Sequence, residues 1–169
     1  MNIFVLSQNP ITAAKMMCDK HIPKMIVESA QMMASALRRH GATDDMMPLT
    51  KAGTPYKGGY KHHPCTVWVG DSYANFMWLS HHAEALLDEY YERFGKVHAC
   101  HNPIYQMSSM KSVFATSTRD YLTPFAQAMP DEYKNRCAVT AYRNYYHSKT
   151  FAKWEKGTPS PKWWRGANV

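Results

Sequence analysis

The stretch that most clearly determines the fold is SYANFMWLSHHAEALLDEYYERFG, residues 72–95. Its apolar residues recur at spacings of three and four, which places them on one face of a helix: Phe76, Leu79, Ala83, Leu86, Leu87, Tyr90 and Tyr91. The acidic residues fall largely off that face: Glu84, Asp88, Glu89 and Glu92. Ser72 is a plausible start and Gly95 a natural stop. The spacing predicts a long amphipathic helix between Tyr73 and Phe94.

A second helical region precedes this one, at residues 11–40. Its apolar residues also recur at helical spacing: Ala13, Ala14, Met17, Met25, Ile26, Ala30, Met33 and Leu37. Pro23 lies inside the run and lacks an amide donor, so we expect a break near His21 and two helices rather than one. Helical character returns at residues 131–154.

The remaining segments read as loops or short extended pieces. Glycine and proline are frequent in residues 41–60, and prolines interrupt residues 98–130, so both segments are expected to be loop-rich. Residues 157–169 form an irregular tail. Residues 2–6 could be a short strand or an extended lead-in, and 66–69 could be a short strand. A chain of 169 residues has the length for one ordinary core. We therefore predict a mainly α fold, a single compact helical domain over residues 1–169 with long irregular loops.

The composition favours a polyanionic partner. Twenty Lys and Arg against thirteen Asp and Glu give a net charge of +7, although a merely soluble basic protein fits the same balance. No apolar run is long enough to cross a bilayer and none resembles an export signal, so a cytoplasmic location is expected. Four scattered cysteines without a Cys-x-x-Cys pair indicate reduced thiols.

Candidate acid–base residues lie near the start of the second predicted helix. His21, Lys24 and Glu28 stand at positions i, i+3 and i+7 and therefore share one side of that helix. Apolar neighbours of Glu28 would partly desolvate its carboxylate and suit it to acid–base work. A surface salt bridge between Lys24 and Glu28 is the simpler alternative.

Histidine and cysteine cluster at residues 62–65, 81–82 and 98–101. Imidazole and thiolate groups are good zinc ligands, but adjacent ligands point apart and the usual zinc-site spacing is absent. A metal-dependent hydrolase is therefore kept only as an alternative, and no metal site is predicted. No glycine-rich phosphate loop and no Gly-x-Ser-x-Gly sequence is present, so nucleotide hydrolysis and esterase chemistry are poorly supported.

The C-terminal region interleaves aromatic and basic residues. The segment YRNYYHSK at residues 142–149 contains Tyr142, Arg143, Tyr145, Tyr146 and Lys149. Cations pair with phosphates and flat rings stack on exposed bases, so this pattern is typical of nucleic-acid binding. Aromatic residues at helical spacing also form cores, and that alternative stays open.

These segments, taken in order, resemble the pyrimidine-dimer DNA glycosylase family, which is endonuclease V-like. GYKHHP at residues 59–64 is similar to the Tyr-x-x-His-Pro segment of the family, and LLDEYYERFG at 86–95 to the helix end that follows it. Asp19-Lys20-His21 with Glu28 resembles the segment in which a glutamate seven residues after a histidine is the catalytic carboxylate. Residues 142–149 look like the aromatic, lysine-bearing segment that the family uses near damaged bases.

The resemblance implies an all-α DNA-repair enzyme, a DNA glycosylase and hydrolase with possible abasic-site lyase activity. Its catalytic residues would be Glu28 and an amine from Met1, or from Lys20 or Lys24 if its pKa were strongly lowered, with His21 beside them. An N-terminal amine suits nucleophilic attack because its ordinary pKa is near neutral. The well-known member of the family exposes an N-terminal threonine by removing methionine, whereas Asn2 is bulky and should leave Met1 in place. No cofactor is implied.

DNA, most plausibly a damaged or modified duplex, is the expected partner. The family's arginine beside the catalytic glutamate is replaced by Val27, so other residues must contact phosphates. We expect nucleic-acid contacts from the basic residues and the aromatic segment: Lys20, Arg38, Arg39, Lys61, His62, Arg93, Tyr142, Arg143, Tyr145, Tyr146 and Lys149. A non-catalytic nucleic-acid-binding protein of the same fold, encoded by a phage and acting in the host cytoplasm, is the main alternative.

Overall fold

Six α-helices follow one another in the computed structural model, which describes residues 1–114 and 119–169. They are α1 (Pro10–Lys15), α2 (His21–Arg39), α3 (Pro64–Asp71), α4 (Tyr73–Phe94), α5 (His101–Ser108) and α6 (Ala138–Tyr146). Two short 3-10 turns occupy Lys111–Phe114 and Asp131–Tyr133. The described residues contain no strand, and their apolar side chains share one core. The predicted mainly α fold is confirmed.

Helix α4 has the predicted ends. The Ser72 hydroxyl caps it by accepting from the Asn75 amide, and Gly95 ends it in the left-handed region at φ +64°. The helix packs against α1 and α2. Two assignments along it were wrong: Tyr91 is exposed, whereas Glu89 is buried. Glu89 leaves solvent because it pairs with Arg93 one turn later.

The predicted break before α2 is confirmed. Helix α1 ends at Lys15 and α2 begins at His21, so that Pro23 lies in the first turn, where its missing N–H group costs no hydrogen bond. The apolar face of α2 is buried against α3 and α4. Glu28 lies at the edge of this face and is half-buried.

The expectation of a strand at residues 66–69 was wrong, because these residues lie in α3. Pro64 occupies the first turn of α3 and the His63 side chain accepts from the Cys65 amide, which together favour a helix start. Trp68 and Val69 are then buried. Helix start signals and packing therefore override the β propensity of the branched residues.

The C-terminal third is less helical than predicted. Within residues 131–154 only Asp131–Tyr133 and α6 are helical. The tail folds back irregularly, with the Asn168 amide donating to the His147 carbonyl at 2.7 Å and Trp163 packing edge-on against Tyr146. The loop-rich prediction for residues 98–130 agrees with the short α5, while residues 115–118 of that segment lie outside the described residues.

Two further observations concern the chain as a whole. Among the described residues, none of the helices combines the length and apolar character needed to span a bilayer. All four cysteines are free, with Cys18, Cys65 and Cys100 buried and Cys137 exposed.

Candidate active site

The first six residues form a largely buried segment without regular secondary structure, which holds the N-terminus in one place. Asn2 donates from Nδ2 to the Ala128 carbonyl at 2.8 Å, and its Oδ1 accepts from the amides of Ile3 at 2.8 Å and Phe4 at 3.1 Å. Its own backbone amide donates to Glu28 Oε2 at 2.8 Å. Every polar group of the Asn2 side chain is thus used to anchor the segment beside α2.

Phe4 locks the same segment through its ring. Its backbone has φ +56°, a conformation that costs energy for a residue other than glycine. The ring stacks on His21 with centroids 4.6 Å apart and on Tyr145 at 6.0 Å, and meets Tyr146 edge-on. Packing on three sides holds a strained backbone that aims the first residues at Glu28.

Three of the predicted catalytic residues come together on α2 and at the N-terminus. The Met1 amine lies 3.8 Å from Glu28 Oε2, and Lys24 Nζ lies 3.8 Å from Glu28 Oε1. The Met1 side chain is almost completely buried, whereas that of Glu28 is 13% exposed and that of Lys24 62% exposed. The carboxylate is therefore partly withdrawn from water while it remains accessible.

An open pocket gives access to this carboxylate. We call it the Glu28 pocket; its volume is about 360 Å³ and its lining consists of Met1, Lys24, Val27, Glu28, Gln31 and Tyr60. Sequence reasoning missed Gln31 and Tyr60 as site residues. Gln31 follows Glu28 at i+3, a spacing that could have identified it, whereas Tyr60 arrives from a distant loop.

His21, the fourth predicted catalytic residue, does not line this pocket. Its ring is buried and its Nδ1 shares a hydrogen bond of 2.8 Å with the Tyr146 hydroxyl. Burial is the main cause that lowers the pKa of His21 from 6.5 to about 3, and the nearby charges of Lys24, Lys149 and Lys20 contribute in the same direction. The structure corrects this assignment: His21 is a neutral residue that supports Phe4.

His63 is a neighbour of the site that the sequence analysis passed over in favour of His62. Burial lowers the pKa of His63; the charge of the N-terminal amine lowers it too, while Glu28 raises it. Both charges therefore act on the ring. The Nδ1 atom accepts from the Cys65 amide at 3.2 Å, which leaves the proton of the neutral ring on Nε2. The proline after His63 was the available signal, since it marks a capped helix start.

Four of the predicted phosphate-binding residues gather around a second, larger pocket on the other side of Tyr60. They are Arg38, Arg39, Lys61 and His62. The Arg38 guanidinium donates to the Tyr56 carbonyl and pairs with Asp44, while Arg39 pairs with Asp71 at 2.9 Å. Lys20 lies elsewhere, exposed and 4.7 Å from the centroid of the Phe151 ring.

Arg93 does not face this surface, which corrects its prediction as a DNA contact. Its side chain is fully buried, and its guanidinium donates to Glu89, Asp19 and the carbonyls of Met17 and Lys15 at 2.7–3.1 Å. A buried guanidinium with every N–H group bonded has nothing left to offer a phosphate.

The aromatic segment of α6 divides between core and surface. Tyr142 and Tyr146 are completely buried, so their rings belong to the core and we remove them from the predicted stacking residues. Tyr145 is half-buried, with Lys149 Nζ 3.6 Å from its ring centroid. Arg143 donates to the Leu6 carbonyl at 3.0 Å and so helps to hold the N-terminal segment.

The histidine clusters do not converge on a metal site. Among residues 1–114 and 119–169, no group of three or more His, Cys, Asp or Glu side chains is arranged to hold a metal ion. Several of these rings instead bond to the backbone: His82 contacts the Pro10 carbonyl at 2.9 Å, and His98 Nδ1 accepts from the Cys100 amide at 3.0 Å. We therefore do not carry the metal-dependent hydrolase further.

Comparison with known protein families gives a match to this chain. The family model for pyrimidine dimer DNA glycosylases matches residues 1–102, which include Met1, Glu28 and both pockets. Comparisons with curated proteins and with solved structures found no significant match. Because the family match covers more than half of the chain, its DNA-repair chemistry and its DNA substrate follow from membership. This chain belongs to the pyrimidine dimer DNA glycosylase family.

Proposed function

We propose that this protein excises damaged bases from duplex DNA and then cleaves the strand as an abasic-site lyase. The nucleophile is the Met1 amine and the catalytic carboxylate is Glu28. The observation that carries the proposal is the distance of 3.8 Å between the Met1 nitrogen and Glu28 Oε2 at the edge of an open pocket. The hydrogen bonds of the Asn2 side chain, which we call the Asn2 clamp, and the ring packing of Phe4 both hold that amine in place.

The chemistry follows from the two groups. The neutral amine attacks C1′ of the deoxyribose while the bond from C1′ to the base breaks, and the base leaves with the electron pair and takes up a proton. Ring opening gives a cationic imine joined to Met1. Loss of the C2′ proton then expels the 3′ phosphate by cleaving the C3′–O bond, and water releases the amine. Glu28 can accept protons and stabilise the cation.

Lys24 is the rival nucleophile, because its Nζ lies as close to Glu28 as the Met1 nitrogen does. Its side chain is largely solvated, so it is free to place the amine in several positions. Met1 is held by a buried side chain and by the anchored Asn2. We therefore choose the Met1 amine as the nucleophile, because it is held more firmly, and treat Lys24 as a nearby cation.

The charges around the two pockets support DNA as the substrate. Lys24, Lys61 and His62 are exposed and lie at the mouths of the pockets. Tyr145 and Lys149 lie beside Phe4 and so contribute a ring and a cation near the N-terminal segment. These residues can contact phosphates and bases on both sides of the reacting sugar.

The test is borohydride trapping on ultraviolet-irradiated duplex DNA and on duplex DNA with one abasic site. The imine is reduced to a stable adduct, and mass spectrometry of the digested protein locates it. We expect the adduct on the Met1 nitrogen. Glu28→Gln should lower strand cleavage by about 10²–10⁴-fold, while Glu132→Gln, at an exposed position on a 3-10 turn, should leave it unchanged.

A second variant separates the two amines. Lys24→Arg keeps the positive charge but removes the primary amine, so trapping should persist if Met1 is the nucleophile. Loss of the adduct in Lys24→Arg would assign the reaction to Lys24. Salt-sensitive DNA binding without base release or an adduct on either substrate would instead identify a non-catalytic DNA-binding protein.

A further inference from the structure

The end of α4 and the segment that follows it enclose a further pocket, which we call the α4–α5 pocket. Its volume is about 350 Å³, near the lower end of the range of about 300–1,000 Å³ that ligand sites occupy. Its lining comes from the last two turns of α4, from the connection at residues 95–100 and from the start of α5. Among the described residues, it shares none with the Glu28 pocket or with the larger pocket beside Tyr60. A cavity of this size suits one long side chain of a partner.

The walls of the α4–α5 pocket expose an aromatic ring and an aliphatic side chain. Tyr91 is 58% exposed and Val97 is 68% exposed, and both line the pocket together with the buried Leu87. Tyr91 interrupts the apolar pattern of α4 because its ring faces water. Large apolar side chains that stay in water around a cavity are typical of an interaction surface.

Two carboxylates give this pocket a negative charge on a chain whose net charge is +7. Asp88 and Glu92 both line it, are exposed and form no ion pair with any residue that the structure describes. They are four residues apart on α4, a spacing at which like charges repel each other. Glu92 also lies in the last turn of the helix, where the helix dipole disfavours a carboxylate. A cation between the two carboxylates would relieve both effects.

The basic side chains nearby in the chain do not supply that cation. Residues 84–108 contain two of them, Arg93 and Lys96. The Arg93 guanidinium is buried and bonded to Glu89 and Asp19. Lys96 is exposed, does not line the pocket and forms no ion pair within the described part of the chain. The charge of the pocket is therefore open to a cation from a partner.

His98 forms a fixed wall of the pocket that does not oppose a cation. Burial lowers the pKa of His98, so its ring is neutral at neutral pH. The Nδ1 atom accepts from the Cys100 amide at 3.0 Å, and Tyr90 meets the ring edge-on with centroids 4.9 Å apart. Because these contacts hold the ring before a ligand arrives, binding orders less of the protein.

Helix α5 extends the same surface. Tyr105 is half in water, and its ring contacts that of His101, which lines the pocket, with centroids 4.9 Å apart. Burial raises the pKa of Tyr105, and the charges of Asp88 and Glu84 raise it too. The carboxylates of α4 thus act on the exposed face of α5, and the two helices present one negative, aromatic surface.

We propose that this surface docks a protein partner through an arginine side chain, whose guanidinium lies between Asp88 and Glu92 and stacks on Tyr91. A guanidinium is planar, bonds to carboxylates through several N–H groups and stacks on aromatic rings, which an ammonium group does less well. Arginine is also enriched in protein–protein interfaces. Nucleic acid does not fit, because unpaired carboxylates repel phosphates. This inference does not depend on the proposed reaction.

The probe is the peptide acetyl-Gly-Leu-Arg-Leu-Gly-amide, compared with the same peptide carrying citrulline, which has nearly the shape of arginine but no charge. Amide resonances are followed by NMR while each peptide is titrated into the full-length protein. We expect the arginine peptide to shift resonances of residues 87–101 and to bind at least about fivefold more tightly than the citrulline peptide. Equal affinities, shifts confined to other regions or no shift at millimolar peptide would overturn the proposal.

Matched variants test the individual contacts. Asp88→Asn and Glu92→Gln each remove one charge at nearly constant shape and should weaken binding of the arginine peptide about 3–10-fold. Tyr91→Leu keeps an apolar side chain without the ring and should weaken it about 2–5-fold. Glu132→Gln removes an exposed carboxylate outside the pocket and is the control. Unchanged affinity in both Asp88→Asn and Glu92→Gln would refute the proposal.

Two further measurements distinguish a protein partner from the other possible occupants. The affinity for the arginine peptide should be the same with and without saturating duplex DNA, and displacement by DNA would contradict the proposal. Sedimentation of the protein alone tests self-association. We expect no oligomer that Asp88→Asn dissociates, since such an oligomer would assign this surface to a second copy of the chain.

Discussion

Two ion-pair clusters in this protein begin from the same local pattern and end in opposite environments. Lys24 and Glu28 are four residues apart on α2, and Glu89 and Arg93 are four residues apart on α4. In the first cluster the cations lie 3.8 Å from the carboxylate and an open pocket adjoins it. In the second, Arg93 lies 2.8 Å from Glu89 and is completely buried.

The two clusters differ in the further hydrogen-bond partners that each of them has. Arg93 also bonds to Asp19 and to two carbonyls at the end of α1, and Asp19 in turn accepts from the Glu155 amide at 2.6 Å. The cluster around Arg93, which we call the closed cluster, thus joins α1, α4 and the C-terminal segment. We call the cluster around Glu28 the open cluster. In the open cluster, Glu28 bonds instead to the N-terminal residues Met1 and Asn2. Saturated hydrogen bonding indicates a structural role, while an accessible, loosely paired carboxylate indicates chemistry.

The largest expected effect breaks the closed cluster. Arg93→Met leaves Glu89 and Asp19 without their guanidinium, so we expect the free energy of unfolding to fall by about 3–5 kcal/mol. Urea denaturation measures it. Arg39→Met, which breaks an exposed pair with Asp71, should cost at most about 1 kcal/mol. Similar losses in the two variants would remove the distinction between closed and exposed pairs.

The next effect concerns the buried His21, at the start of α2. Folding lowers the pKa of His21 from 6.5 to about 3, so the unfolded chain binds its proton more readily. The contribution of His21 to stability is fully present above about pH 6.5 and is lost as the pH falls toward about 3. Between pH 6.5 and 4.5 we expect a loss on the order of 2 kcal/mol.

Unfolding measured at several pH values checks this expectation. The buried His82, whose pKa is lowered to about 4 mainly by burial, contributes with the same sign. His21→Asn removes the titration of His21 and should flatten the dependence of stability on pH. An unchanged slope in that variant would show that His21 is not buried in the neutral form.

A smaller effect is expected when the Asn2 clamp, which holds the N-terminus, is removed. Asn2→Leu removes the bonds to Ala128, Ile3 and Phe4 but keeps a bulky second residue, so Met1 should be retained. We expect a loss of about 1–3 kcal/mol in stability and slower trapping of the abasic site. The intact mass of the protein confirms retention of Met1. Normal trapping rates would show that the clamp does not position the amine.

The smallest effect on stability is expected at the centre of the open cluster. Glu28→Gln keeps the side-chain shape and an acceptor for the Asn2 amide, so we expect the free energy of unfolding to change by no more than about 1 kcal/mol. Thermal unfolding measures this change. A loss as large as that of Arg93→Met would place Glu28 in the same structural class as Glu89.

Local features of the sequence predicted the helices well where they carry their own signals. Ser72 and Gly95 mark the ends of α4, and Pro23 marks the start of α2, because capping and the missing proline amide act within one turn. The sequence of α3 misled because its branched residues favour a strand when they are considered without the cap at His63. Long segments that fold back, such as residues 147–169, have no comparable local signal.

The same limit applies to the site. Helical spacing was enough to place Lys24 beside Glu28, because 3.6 residues per turn sets the distance between them. Spacing could not tell that Tyr142 and Tyr146 face the core while Tyr145 lies at its edge. That choice depends on the segments that pack against α6.

By itself, the sequence determined the positions of the main helices, the excess of positive charge and the neighbours of Glu28 along α2. Only the tertiary structure brought Met1 to Glu28, buried Arg93 and placed Tyr60 between two pockets. The physical reason is that helix geometry acts between residues three or four apart. Burial and pairing across tens of residues depend instead on how all of the elements pack together.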